Sequence, residues 1–314
     1  MQKLLNRIIC GDCIEVLGKV GEPFADLIFA DPPFNIGYKY DKYYDKVKKK
    51  NYIAWTREWM TVAKGVLKPH GSFYIAIGDD YAANVKIIGD ELGLFMRNWI
   101  IWHYTFGQQT KNKFARAHTH IFYFANDAKH FTFNDHAVRV PSDRQLIYND
   151  RRANPVGKMP DDVWNGDPRV CGTFRERAGW HPCQMPESLL KRIVAVSSNP
   201  GDCVLDPFSG SGTTAAAACQ LGRNYVGIEI SETYVENSNA RLAQLKNRRS
   251  DTLFLDGTEL DEVKRLSRDM QMAPHEIAGD RDLLRLFTNQ FTVRMNNRKR
   301  YSTKEIVTAL EGLE

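Results

Sequence analysis

Short β-rich runs recur through the first 230 residues, at 7–12 (RIICGD), 26–30 (DLIFA), 72–78 (SFYIAIG), 98–104 (NWIIWHY), 120–125 (HIFYFA), 202–208 (DCVLDPF) and 225–230 (YVGIEI), with helix-length segments between several of them. That alternation constrains the fold more than any other feature. Strands that take turns with helices build a mostly parallel sheet covered on both faces, with ligands at the carboxyl ends of the strands. In NYIAWTREWMTVAKGVL (51–67) apolar side chains return at Ile53, Trp59, Val62, Ala63, Val66 and Leu67, close to helical spacing, and KPHG stops the pattern. PESLLKRIVAV starts on Pro186, favoured in a first turn, and puts Leu189, Leu190, Ile193 and Val194 on one face. Ser231 caps a helix predicted to run to about Leu245. The runs 98–104 and 120–125 have no obvious helix between them, which predicts an antiparallel edge.

With 314 residues and 43% apolar content, the chain can bury a sizeable core. Its longest apolar runs fall far short of the roughly 20 residues of a membrane span. The N-terminal MQKLLNRIICGD lacks a signal-peptide core, so a soluble, cytoplasmic protein with no membrane association is expected. Six scattered cysteines form no disulfide framework, and the Cys10/Cys13 pair lacks the further ligands of a tetrahedral zinc site; no metal is expected. The first 250 residues carry 33 basic against 26 acidic side chains, whereas 251–314 carry 10 against 12. A basic excess confined to the larger part suits a polyanionic partner.

Residues 134–180 are rich in Pro, Gly, Asn, Asp and Arg and show little periodicity, yet Trp164, Phe174 and Trp180 are interleaved among them. This predicts an ordered, functional loop region. From KNRRSD (246–251) a second segment begins, ending in a short helix capped by a Ser302/Glu305 box. Just before that helix, Arg298, Lys299 and Arg300 form a basic cluster, which reads as a phosphate clamp or equally as a solvated basic turn or a subunit contact.

Two stretches carry the chemistry. VLDPFSGSGTTAAAA (204–218) reads as a strand, a glycine turn and an alanine-rich helix. Gly210, Gly212 and Ala215 satisfy G-x-G-x-x-G/A, and Glu229 ends the next strand, where an acid binds ribose hydroxyls; a nucleoside-bearing cofactor is implied. No lysine follows Gly212, which excludes a P-loop. NAD stays open from this stretch alone, but a carboxylate at Asp206 suits an ammonium or sulfonium better than a pyrophosphate. The second stretch, DPPFNI (31–36), follows the apolar ADLIFA, and its two prolines force the chain out of the sheet. There Asp31 and the Pro32 carbonyl offer two acceptors and Phe34 a π-face, which together grip a planar group bearing an exocyclic amine. Drawing the amine hydrogens towards these acceptors localises a lone pair otherwise delocalised into the ring.

DPPFNI together with DPFSGSGTT resembles the S-adenosylmethionine-dependent amino-methyltransferases of DNA, and the order of the motifs, catalytic before cofactor turn, resembles the beta group of that family. CGDC (10–13), VLKPHGSFYI (66–75), HPCQMPESLLKRI (181–193) and GIEI (227–230) match in that order, so the resemblance covers roughly residues 5 to 245. It implies a Rossmann-like methyltransferase fold with a mostly parallel seven-stranded-type sheet and circularly permuted motifs. It also implies a catalytic domain over 1–250, with target recognition by 134–180 inside it, and an accessory segment over 251–314. Asp31, Pro32, Pro33 and Phe34 would form the amine site. Asp206, Phe208, Ser209, Gly210, Gly212 and Thr213 would hold the methionine part of the cofactor, Glu229 its ribose and Asp12 its adenine, although Asp12 by itself also reads as a turn residue. His181 and Gln184 would lead a helix that closes over the cofactor, although His181 by itself equally reads as a loop cap; Met185 departs from the lysine common in that turn.

The partner implied is double-stranded DNA, with the target base flipped out of the stack to reach the pocket. Lys48 and Lys49 suit phosphate contact, or equally a solvated helix start. Seven arginines lie in 134–180, and Arg139, Arg144, Arg151, Arg152, Arg169 and Arg175 are the expected DNA contacts, because the guanidinium fork matches guanine edges. The resemblance also brings in a homodimer and a cognate restriction endonuclease. The expected reaction is N6-adenine methylation; N4-cytosine methylation uses the same geometry, and an NAD-binding oxidoreductase leaves DPPF unexplained.

Overall fold

A computed structural model describes residues 4–108, 110–172, 174, 176–247, 255–296 and 299–313. In chain order the elements are β1 (Arg7–Cys10), α1 (Cys13–Gly18), β2 (Ala25–Ala30), α2 (Lys49–Gly65), β3 (Leu67–Ile77), α3 (Asp79–Glu91), β4 (Phe95–Gln108) and β5 (Arg116–Ala125). There follow a single helical turn, α4 (Asp143–Leu146), a two-residue strand, β6 (Val163–Trp164), then α5 (Glu187–Ser197), β7 (Cys203–Asp206), α6 (Thr213–Gln220), β8 (Asn224–Glu229) and α7 (Glu232–Asn247). The remaining helices are α8 (Gly257–Asp269), α9 (Pro274–Gly279), α10 (Arg281–Arg294) and α11 (Thr303–Glu311). Two compact units result, one of residues 1–133 and 162–247, the other of 134–161 and 248–314.

The first unit holds an eight-stranded sheet of order β1-β8-β7-β2-β3-β5-β4-β6. All pairings are parallel except those of β5, which runs against both β3 and β4. The antiparallel strands are thus present, but they are not the edge: β6 adds beyond them, pairing Ile101↔Val163 and Trp102↔Trp164. Apolar runs without alternation follow from burial on both faces. Ile28 and Ala30 of β2 share a core with Trp59 and Met60 of α2 and Val85 of α3. Leu27 and Phe29 point the other way, into a core with Leu189 and Ile193 of α5 and Ala216 of α6. Helix α5 lies deep in that layer, buried from Ser188 to Ser197 rather than on a single face. Helix α2 does end at Gly65, but KPHG belongs to β3, where Lys68 Nζ and His70 Nε2 each reach the buried Asp26 carboxylate at 2.9 Å. The Ser231 hydroxyl accepts from the Tyr234 N–H at 3.3 Å and caps α7 as expected.

In the second unit, residues 134–161 pack with the C-terminal helices, so the span expected to act as one region over 134–180 divides after residue 161. Buried arginines account for this. Arg294, with no exposed side-chain surface, donates to the carbonyls of Arg139 (2.7 Å) and Val138 (3.0 Å) and pairs with Glu262 (3.0 Å) and Asp269 (2.6 Å). Arg265 donates to the Ala137 carbonyl at 2.5 Å. Gly157 has φ +79°, and a Cβ there would stand 2.4 Å from the Val140 carbonyl oxygen. Leu266, Phe287, Phe291 and Ile306 fill the core. The Ser302/Glu305 box caps α11. Lys299 of the basic cluster, although exposed, pairs with Glu259 at 2.9 Å and lies over the Tyr301 ring, so it is already engaged within its own unit, while Arg300 is exposed. Arg298 lies outside the described residues. Among the described residues no helix is long and apolar enough to cross a membrane.

Candidate active site

Strands β2 and β7 lie side by side, pairing Leu27↔Val204 and Ile28↔Leu205. Beyond them the chain parts, β2 leading to β3 on one side and β7 to β8 on the other. Such a switch point is where open α/β sheets bind ligands. Asp31 and Asp206 both line one cavity there, of about 540 Å³.

The DPPF turn is held from behind. The Tyr52 hydroxyl donates to the Pro33 carbonyl at 2.6 Å, while the Pro32 carbonyl has no partner among the described residues. Asn35, at φ +58°, closes the following loop by accepting from the Val47 N–H (2.7 Å) and donating to the Val47 carbonyl (3.0 Å). Fully buried Asp45 accepts the N–H groups of Ile36 and Tyr38. Asp41, on the same loop, accepts from the Ser231 hydroxyl at 2.6 Å, which ties the loop to the end of β8 and leaves Tyr40 and Lys42 on the cavity wall. A Cβ at Gly78 would stand 3.3 Å from the Phe34 ring, so glycine gives that ring its space.

Three acids converge on the cavity. Burial, with the neighbouring Asp206 adding to it, pushes the Asp31 carboxyl up to about 8. Burial likewise raises Asp206 to about 7, although its carboxylate accepts from the Thr214 hydroxyl (2.5 Å) and the Phe208 N–H (3.0 Å). Glu229 is raised by burial too, while it accepts the N–H groups of Gly210 and Ser231 at 2.9 Å each. No Lys or Arg forms an ion pair with any of the three among the described residues. The buried Ser209 hydroxyl is also without a partner there. Clustered carboxyls with no ion-pair partner among the described residues, beside an unused hydroxyl, fit a cationic, hydrogen-bonding ligand.

His181 packs on the glycine turn: a Cβ at Gly210, whose φ is +47°, would stand 2.8 Å from His181 Nε2. Burial drives this imidazole down to about 4. It is therefore neutral at pH 7, and since Nδ1 accepts from the Cys183 N–H at 3.3 Å, the proton sits on Nε2. Gly212 plays a different part from the one expected. It does not line the cavity; at φ +72° its absent Cβ would meet Ser238 Cβ at 3.0 Å and Ile8 Cδ1 at 3.2 Å, so it lets α6 close against α7 and β1. Gln184 lines the cavity, but its amide is occupied, accepting from the Ala178 N–H and donating to the Glu176 carbonyl, both at 2.8 Å. Asp12 lines the cavity and caps α1, accepting from the Ile14 N–H at 2.8 Å. Thr213 also lines the cavity and bonds the Ser211 hydroxyl at 2.9 Å, and Phe208 sets its edge against Trp59 at 5.1 Å.

Of the expected DNA contacts among the described residues, only Arg169 lines the cavity, with its guanidinium 5.2 Å from the Tyr104 ring. Arg139 is bound to Asp135 and the Gly157 carbonyl, and Arg144 and Arg152 share Asp150, so these three are engaged within the second unit. Arg151 is exposed, as are Lys48 and Lys49 at the start of α2. Arg175 lies outside the described residues. Trp55, Trp102, Tyr104, His118 and Thr119 also stand on the cavity wall, beyond the residues expected from the sequence. For Trp102 and Tyr104 the advance signal was the aromatic density of β4, whereas Trp55 lies on α2 and His118 and Thr119 on β5.

The DNA methylase family profile (N6_N4_Mtase) matches residues 25–240, which takes in both acid turns and Glu229. This chain belongs to that family. The DNA methylase is 40% identical over 247 residues to the DNA adenine methyltransferase YhdJ of Escherichia coli, covering 76% of this chain and 82% of that one. It is 37% identical over 239 residues to the type II methyltransferase M.HpaI of Haemophilus parainfluenzae, covering 76% and 74%. The fold of a crystallised M1.HpyAVI–SAM complex superposes with a TM-score of 0.56 at 22% identity, covering 75% of this chain and 98% of that one.

Proposed function

We propose that this methylase transfers the methyl group of S-adenosylmethionine to the exocyclic N6 of an adenine flipped out of duplex DNA. The observation that carries the reading is the meeting of the DPPF turn and the glycine turn on neighbouring strand ends, in one cavity. The cofactor, when bound, supplies an electrophilic methyl group on a positively charged sulfur. Asp206, Ser209 and Gly210 would receive its cationic end and Glu229 its ribose hydroxyls, a reading supported by their lining one cavity. The Asp31 carboxylate accepts one amine hydrogen and the Pro32 carbonyl the other, which aims the nitrogen lone pair into the cavity. As the N–C bond forms at the expense of the methyl group's bond to sulfur, which leaves a neutral thioether, the nitrogen must lose a proton, and Asp31, whose site favours the protonated form, would take it. Phe34 supports the base from below; base–aromatic stacking contributes about 1–3 kcal/mol towards the cost of extrusion.

The adenine assignment is supported by the resemblance to YhdJ, which is named for that base. A cytoplasmic location, a homodimer and a cognate restriction endonuclease complete the proposal; the last follows the type II designation of M.HpaI. The family match displaces the oxidoreductase alternative. Incubation with DNA and methyl-labelled cofactor, then digestion to nucleosides, should put label on N6-methyladenine. Label on N4-methylcytosine would reassign the base, and none on any nucleoside would overturn the reading.

A further inference from the structure

The ribbon of β4 and β5 leads from the cavity to a tip that the fold itself does not use. Tyr104, His118 and Thr119 on this ribbon line the cavity, as does Arg116, the first residue of β5. Arg116 is anchored to the start of α3 through Asp79 at 2.9 Å and Asp80 at 3.5 Å. Opposite it, a Cβ at Gly107 would stand 1.8 Å from the Arg116 carbonyl oxygen, so the two backbones approach more closely than any side chain allows. Beyond this glycine neck lies Thr-Lys-Asn-Lys-Phe-Ala (110–115). Phe114 at its end is 99% exposed, more than any other large apolar side chain described. Lys111 and Lys113 beside it are exposed and have no acidic partner among the described residues.

Two kinds of surface could cover such a ring. A contact with a second copy of the chain is disfavoured by the lysines, which are depleted from the cores of protein interfaces. A polyanion with apolar steps between its charges fits both features, and duplex DNA is that partner. Extruding a base leaves a gap in the stack, and an apolar wedge inserted between base steps is a recognised way to hold a duplex open. Resting on the function proposed above, we infer that Phe114 enters the base stack beside the extruded nucleotide while Lys111 and Lys113 hold the flanking phosphates. Arg116 and Gly107 are positioning residues that set the direction of the ribbon.

The test compares single-turnover methyl transfer on two duplexes, one with the target adenine paired and one with it mispaired. Phe114→Ala should slow transfer on the paired duplex by about 10- to 100-fold, the range expected from one lost stacking contact. On the mispaired duplex, where opening costs less, the deficit should shrink to within about threefold. Phe114→Trp should restore the paired rate, and 2-aminopurine at the target should brighten less with Phe114→Ala than with wild type. Replacing Lys111 and Lys113 together by alanine should flatten the logarithmic salt slope of binding by about 2. Equal rates for wild type and Phe114→Ala, an equal deficit on both duplexes, or an unchanged salt slope in the lysine variant would overturn the proposal. So would a shift of Phe114→Ala to a smaller sedimenting species, which would mark the tip as a subunit contact. A wild type that methylates neither duplex overturns the proposed function instead.

Discussion

At Asp31, the proposed acceptor of the amine proton, burial of a carboxyl costs the free protein stability. Its carboxyl is raised to about 8 and that of Asp206 to about 7, so both bind protons that the unfolded chain has already released near pH 4. The folded state therefore loses stability as pH rises from about 4 to 8, and the loss levels off above the folded values. Asp31→Asn removes one of these groups without changing its shape. It should melt higher than wild type at pH 8.5, by about 2–4 °C for each kcal/mol relieved, with the difference shrinking towards pH 5. Methyl transfer by the same variant should fall at least about a hundredfold, as expected where a positioned proton acceptor is lost. A melting difference independent of pH would show that the acid is not raised. A cationic ligand reverses the electrostatics and lowers both carboxyls. Binding of S-adenosylmethionine at pH 6.5 should then release protons, seen by calorimetry in buffers of different ionisation enthalpy, and affinity should rise with pH until about 8. Asp206→Asn should reduce that release.

At the level of elements, seven of the eight strands were legible, β2, β7 and β8 because burial on both faces writes them as continuous apolar runs, and the two acid turns because prolines and glycines stop those runs abruptly; the two-residue β6 was not. What remained hidden depends on contacts across long stretches of chain. Gly210 and His181 are 29 positions apart, and the Asp41 to Ser231 bond spans 190, so no periodicity records them. The glycine turn shows the same limit at finer grain: the spacing of Gly210 and Gly212 fits a cofactor fingerprint, yet their missing side chains leave room for different things. Gly212→Val should for this reason act first on stability. Strain at its left-handed φ contributes about 1–3 kcal/mol, and crowding against Ser238 and Ile8 a similar amount. Denaturant unfolding should show a loss of at least about 2 kcal/mol. A fully stable variant that fails only to bind cofactor would return Gly212 to the pocket wall.

The division of the whole molecule was the least legible feature, because the bonds that join residues 134–161 to the C-terminal helices come from single arginines far along the chain; the donation from Arg294 to Val138 spans 156 positions. Composition alone marked 134–180 as one loop-rich region, whereas the chain divides after residue 161. The consequence is that the accessory segment is the scaffold of half that region, and the two should fail together. Arg294→Met keeps most of the side-chain volume but withdraws two donors from backbone carbonyls and leaves Glu262 and Asp269 without this partner. Breaking a buried pair from one side costs about 3–5 kcal/mol. That is a large share of the stability of a unit of 95 residues, counted from its two segments. Limited proteolysis of the variant should therefore cut within 134–161 and within 255–313 at matched rates, both well above wild type. Cofactor affinity should stay near wild type, since every cavity-lining residue belongs to the first unit. If only the C-terminal helices become sensitive while 134–161 stays protected, the backbone bonds from Arg294 are not what holds that segment, and its order must come from its own turns.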